Sequence, residues 1–145
     1  MTNPDSPRIV FFQVKNAADK VRLLADTAQS HFAKKEKFII FAEDDRAIEY
    51  VDSLLWKYPQ VSFLPHAIAE NPCPDPIVVT KVKKNLNEAR FAFNLCPTPL
   101  LIEGFRIIYD LEDATLPNKK LLSQARFDAY KAARYLIESR LESQL

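Results

Sequence analysis

Leu54-Leu55-Trp56-Lys57-Tyr58-Pro59-Gln60-Val61-Ser62-Phe63-Leu64-Pro65-His66 is the stretch on which the reading of the fold turns. It carries the only tryptophan of the chain at the end of a predicted helix, followed by an apolar segment closed by Pro-His. The chain before it reads as a strand–helix–strand–helix unit, and the chain after it as strands and one long helix. Trp56 and Phe63, spaced across a Pro-bounded turn, suit either core packing or a surface prepared for a partner, because aromatic rings supply large apolar area in both settings. Periodicity alone favours the core.

Upstream, Arg8-Ile9-Val10-Phe11-Phe12-Gln13-Val14 is nearly continuously apolar and rich in β-branched and aromatic residues, the pattern of a strand covered on both faces. Asn16 is a helix cap with Asp19 in the first turn, and Val21, Leu24, Ala25, Ala28 and Phe32 then recur at helical spacing, predicting a helix that ends near Lys34. The cations of Lys34-Lys35-Glu36-Lys37 suit the negative end of that helix. Phe38-Ile39-Ile40-Phe41-Ala42 follows as a second buried strand. Glu43-Asp44-Asp45 opens the next helix, whose apolar face is Ala47, Ile48, Val51, Leu54 and Leu55.

Downstream, Pro72, Pro74 and Pro76 forbid regular structure in Asn71–Pro76, which is a loop. Strands are predicted at Ile77–Thr80, Phe91–Leu95 and Phe105–Tyr109, the last of these being the final strand, and a terminal helix runs from Leu116-Pro117-Asn118 to about Glu142. Alternating strands and helices imply right-handed crossovers. The expected fold is a single Rossmann-like α/β domain over 1–145 with a flexible 1–7, a mostly parallel sheet with helices on both faces, and one or two antiparallel or edge additions in the second half.

Composition narrows the function. With 20 basic and 19 acidic residues and a formal net charge of +1, no global field holds nucleic acid, so any electrostatic recognition is local. The sole glycine is Gly104, so the chain has neither a P-loop nor a dinucleotide fingerprint. Cys73 and Cys96 lack CxxC spacing and fit a reducing compartment; without a signal-like start or an apolar span of bilayer length, the expected location is the cytoplasm.

Motifs for catalysis are sparse. His31 and His66 have no ligand at metal spacing, and neither Ser30 nor Ser62 lies in a nucleophile elbow. Neither a cofactor nor a catalytic residue is expected. The enzymatic alternative rests on Glu43, Asp44 and Asp45 holding Mg²⁺ at the carboxyl end of a strand, although capping explains the same acids. Another alternative is direct single-stranded DNA binding, with Lys81, Lys83 and Lys84 on phosphates and Phe91 stacking on a base. The terminal helix says more: Leu122, Ala125, Ala129, Ala132, Ala133 and Leu136 form a small-residue stripe expected to pack on the sheet, while Arg126, Tyr130 and Arg134 recur every four residues on an outward face flanked by Phe127 and Lys131. Such a face suits an acidic peptide ending in an aromatic residue, although the residues taken alone favour a solvated helix surface, since exposed charges on a helix are the norm.

Leu55-Trp56 with Ser62-Phe63-Leu64-Pro65-His66, after the Ala42-Glu43-Asp44 strand end, together with Tyr130-Lys131-Ala132 and Arg134 on a helix introduced by Leu116-Pro117, resembles the chi subunit family of the bacterial DNA polymerase III holoenzyme. Order, spacing and length agree over nearly the whole domain. The resemblance implies a nucleotide-fold domain without a nucleotide site, acting as a non-enzymatic adaptor. It would join the clamp loader, through the psi subunit or another clamp-loader or helicase partner, to the acidic, aromatic-ended tail of single-stranded DNA-binding protein, touching DNA only indirectly. It further implies a psi-facing segment at Trp56, Phe63, Pro65 and His66, and a tail-binding end at Leu116, Tyr130, Lys131 and Arg134. One departure stands out: the family's arginine three residues before the tyrosine is Phe127 here, and Arg126 lies four before, close enough on a helix to take over that charge.

Overall fold

The structure is a computed structural model that describes residues 6–57 and 64–141. The elements run in the order β1 Arg8–Val14, α1 Ala17–Ala33, β2 Phe38–Phe41, α2 Asp45–Lys57, β3 Ala67–Ile68, β4 Ile77–Thr80, β5 Phe91–Asn94, β6 Ile107–Asp113, α3 Pro117–Ala132 and β7 Leu136–Leu141. The seven strands form one sheet, β3-β4-β2-β5-β6-β1-β7, and every pairing is parallel. The expected flexible N-terminus and Phe63 lie outside the described residues, apart from Ser6 and Pro7.

Strand alternation divides the core. On one face Val10, Phe12, Ile40, Val79, Phe93 and Leu111 pack against α1 and α2, through Leu23, Leu24 and Ala28 of the first and Ile48, Val51 and Leu55 of the second. On the other, Ile9, Phe11, Ile39, Phe41, Val78 and Ile108 meet Tyr130 of α3 and the irregular crossovers through Leu86, Ala89, Leu100 and Phe105. Helix starts obey local chemistry: Asn16 Oδ1 accepts from the Asp19 amide at 2.8 Å, Asp44 Oδ1 from the Ala47 amide at 2.9 Å, and Pro117 opens α3 where its missing N–H costs nothing.

The α/β architecture with helices on both faces is as expected, but the second half differs in two respects. No antiparallel strand is added among the described residues; both edge additions, β3 and β7, are parallel. Residues 81–90 and 95–106 are long enough to cross over the sheet without forming helices, which keeps β4, β5 and β6 in one direction. Secondly, the terminal helix stops at Ala132 rather than near Glu142, and Phe105–Tyr109 is not the last strand. Arg134 takes a left-handed conformation (φ 65°), Tyr135 N–H donates to the Tyr130 carbonyl at 3.0 Å, and the chain then runs Leu136–Leu141 along the free edge of β1. The stop carries no glycine or proline, so no punctuation in the sequence marks it.

Candidate functional site

The inward face of α3 is Ser123, Arg126 and Tyr130. Arg126 and Tyr130 converge on Asp110, a carboxylate in the middle of β6 with no exposed surface, while Ser123 Oγ accepts from the Asp113 amide at 2.9 Å and from Arg126 Nη2 at 3.1 Å. Arg126 Nε donates to Asp110 Oδ1 at 3.1 Å, the Tyr130 hydroxyl to Oδ2 at 2.6 Å, Asn94 Nδ2 to Oδ2 at 3.1 Å and the Leu111 amide to Oδ1 at 2.7 Å. Arg126 also donates to the carbonyls of Pro97 and Leu111, and the Tyr130 oxygen accepts from the Leu100 amide at 3.0 Å. Burial pushes the Asp110 carboxyl up, opposed chiefly by the Arg126 charge and then by its hydrogen-bond donors. All four partners donate, so the group they fit is the carboxylate. Burial, followed by the neighbouring Asp110 charge, pushes the Tyr130 phenol far up and keeps it a donor.

The expectation of an outward Arg126–Tyr130–Arg134 face is therefore corrected: Arg126 is 6% exposed and Tyr130 fully buried, and of the three only Arg134 is exposed. The small-residue stripe is reversed as well. Leu122, Ala125, Ala132 and Ala133 are exposed, Ala129 is half-buried and Leu136 belongs to β7. The reason lies in β6, because a carboxylate buried mid-strand draws the helix face that bears its donors, whatever the apolar pattern suggests.

What α3 leaves accessible is a second line of residues. Lys120, Gln124, Phe127 and Lys131 succeed one another at spacings of three and four residues and so share one helix face. Phe127 is half-buried, its ring edge-on to Phe11 at 5.8 Å between centroids. Beside it is a groove of about 490 Å³, lined by Phe11, Pro117, Lys120, Leu121, Gln124 and Phe127 together with Ser123 and one acidic residue, Glu112, with Leu121 74% exposed at its lip. Leu116, Lys131 and Arg134 are exposed at the two ends of the helix. Four of the six expected tail-binding residues are thus accessible, and Arg126 and Tyr130 lie beneath them.

The second expected surface is at the C-terminal end of α2. Trp56 is half-exposed, and its ring lies over His66 with centroids 4.5 Å apart and planes tilted by 49°. The His66 ring, whose side chain is completely covered, reaches the Leu64 carbonyl through Nδ1 at 2.9 Å and Asp52 Oδ1 through Nε2 at 2.7 Å. Pro65 is partly buried beside them. Trp56, Pro65 and His66 are brought together, whereas Phe63 lies outside the described residues.

The competing sites are dispersed. Asp44 caps α2, Asp45 pairs with Lys81 at 2.9 Å, and Glu43 borders a separate cleft of about 260 Å³ with Cys96, Asp113 and Lys119. Among the described residues no group of three metal-ligating side chains converges. Lys81 also meets Glu70, Lys83 contacts the Cys96 thiol, and Phe91 is buried with its ring stacked on His31, so the expected lysine–phenylalanine platform for bases is not assembled. Gly104 (φ 100°) turns the chain ahead of β6, not around a phosphate loop. No described helix is long and apolar enough to cross a membrane.

Sequence reasoning missed Asp110, Asp52, Phe11, Lys120 and Leu121. Asp110 had a signal, a charge inside the run Ile107-Ile108-Tyr109-Asp110-Leu111, and Asp52 stands one helical turn before Trp56; Phe11, Lys120 and Leu121 join the groove only through tertiary packing. Comparison with known protein families matches residues 7–138 to the model described as DNA polymerase III chi subunit, HolC. Comparison with curated proteins gives no match.

Proposed function

Because the chain belongs to the DNA polymerase III chi subunit family, an accessory and not a catalytic part of that enzyme, we propose that it links the clamp-loader complex to the C-terminal tail of single-stranded DNA-binding protein during replication in the cytoplasm. The observation that carries the reading is the groove beside Phe127. It offers an apolar floor from Phe11, Phe127 and Pro117 for an aromatic end group, and a row of cations, Lys120 and Lys131 with Arg134 beyond, for the carboxylates that precede it. Phe127 replaces the family's arginine, which exchanges one charge for apolar contact area. In this proposal Leu116, Phe127, Lys131 and Arg134 touch the tail, and Arg126 and Tyr130 act from below by fixing the helix on β6. The Trp56–Pro65–His66 surface, with Phe63 in the adjoining segment, takes psi or another clamp-loader or helicase partner. DNA is reached only through the tail.

The test is titration of a fluorescent peptide with an acidic stretch and an aromatic C-terminus, repeated with the last residue removed. Saturable binding should weaken by at least about 2 kcal/mol on truncation, as expected for loss of a buried anchor. Equal binding of both peptides, or none at low salt, overturns the tail assignment.

A further inference from the structure

The two edges of the sheet carry charge differently. At the carboxyl edge Lys20 is held by Asp113 at 2.8 Å and Lys81 by Asp45 at 2.9 Å. At the amino edge three neighbouring strands each begin directly after a cation: Lys37 before β2, Arg90 before β5 and Arg106 before β6. The register sets the three level, because Phe38 pairs with Phe91 and Phe91 with Ile107. Arg106 N–H donates to the Arg90 carbonyl at 2.7 Å, so these two backbones are directly adjacent. All three residues are exposed, and among the described residues none of them forms an ion pair. Lys34 and Lys35 close α1, where the helix dipole favours positive charge, but a sheet has little dipole of its own and gives no such reason for the row. Four acids share this edge, Glu36, Asp75, Glu88 and Glu103, and Glu36 is engaged by His31 at 3.1 Å. The cations outnumber them.

The row leads to α3. The sheet continues in the order β2-β5-β6-β1-β7, and Lys131 and Arg134, both exposed, stand between the end of α3 and the start of β7 on the same edge. We propose that this row is a docking surface for an extended acidic segment of polypeptide. It is continuous through Arg134 and Lys131 with the groove beside Phe127, so a partner anchored there by its aromatic end lays the acidic chain that precedes the anchor along the sheet's amino edge. From β2 to β7 is four strand spacings, about 19 Å, which an extended chain of about six residues covers. Single-stranded nucleic acid binds through rings that stack on its bases as well as through cations. Here Phe38, Phe91 and Phe105 are buried and Tyr135 is stacked on Tyr130, so the row offers charge alone. Carboxylates need nothing more, since a guanidinium receives them with two parallel hydrogen bonds. The choice of occupant rests on the function proposed above; the charged row itself does not.

The test uses the full chain and three fluorescent peptides. One is the short acidic peptide with an aromatic C-terminus; the others carry about six further residues at its N-terminus, either Asp and Glu or Gly and Ser. The acidic extension should tighten binding about tenfold at low salt, with the gain fading as salt screens exposed charges. The neutral extension should add nothing. Lys37→Ala, Arg90→Ala and Arg106→Ala combined should remove the gain and leave the short peptide's affinity unchanged, and Arg90→Ala alone should remove part of it. An acidic extension that gains nothing over the neutral one, or a gain that the combined variant keeps, overturns the proposal and leaves the groove reading standing. If the short peptide itself does not bind, the groove reading falls, and the acidic extension as a free peptide reads the row alone. Binding at low salt that the combined variant loses supports the row, and no binding overturns it. An oligothymidylate of about ten nucleotides that binds more tightly than the extended peptide, and is lost in the combined variant, overturns the polypeptide assignment in favour of nucleic acid.

Discussion

Two regions of this molecule are built from the same three components, an aromatic ring, a basic side chain and a carboxylate. Beneath α3 they are Tyr130, Arg126 and Asp110; at the end of α2 they are Trp56, His66 and Asp52. The first set is sealed and its charges are paired inside the fold. The second leaves about half of its indole in water. The difference is set by where the carboxylate stands. Asp110 sits in a central strand, so its donors must come to it and are committed there; Asp52 sits on a helix at the rim, so the group it holds stays next to the surface. A buried triad of this kind fixes the helix on the sheet, and an open one leaves its ring accessible.

The sharpest way to break this comparison is Arg126→Ala. Leaving Asp110 buried without its ion pair should cost about 3–5 kcal/mol, read from chemical unfolding. Trp56→Ala, on the open rim, should cost no more than about 1 kcal/mol. Comparable losses for the two variants would erase the distinction. Tyr130→Phe is milder, since it removes one hydroxyl that serves Asp110 and the Leu100 amide; about 1–3 kcal/mol is expected, with faster hydrogen exchange at Leu100.

The two histidines sharpen the comparison at a lower energy. His31 is buried between the helices and the sheet, where its Nε2 accepts from the Tyr109 hydroxyl at 2.7 Å and its Nδ1–H donates to Glu36 at 3.1 Å. These partners suit a neutral ring. Burial holds its pKa below the usual histidine value, with Glu36 pulling the other way. The unfolded chain therefore takes up a proton before the folded one does, so this residue's contribution to stability is present above about pH 6.5 and declines as pH falls through that value. His31→Gln should flatten that part of the stability profile; an unchanged profile would contradict a neutral His31. The smallest effect on stability is expected for Lys131→Glu, within about 0.5 kcal/mol because the residue is exposed, while tail affinity drops. A loss of affinity accompanied by a loss of stability would move Lys131 from the binding surface to the framework.

Much of the fold was legible because its first half obeys local rules. Asn16 and Asp44 cap where their spacing says they should, and β1 and β2 announce themselves as unbroken apolar runs. The second half was legible only in part. Residues 133–141 keep a helical apolar spacing through Leu136, and the stop depends on Arg134 entering a left-handed turn that glycine ordinarily takes. What decides for strand is the open edge of β1, a tertiary fact. The candidate site divides in the same manner. The end of α3 was found as a region, yet its polarity was inverted, because periodicity counts apolar residues and gives no weight to a buried carboxylate that calls for Arg126 and Tyr130. Trp56 and His66 were identified together through resemblance, while Asp52, which links them, is visible only once the chain has folded back.

The most direct test of the adaptor account is to map the acidic, aromatic-ended peptide onto isotope-labelled protein by amide chemical shifts. Perturbations confined to Leu116, Leu121, Gln124, Phe127, Lys131 and Arg134, with the Trp56 indole signal unmoved, are the predicted result. Perturbations centred on Trp56 and His66, or none at saturating peptide, would contradict it.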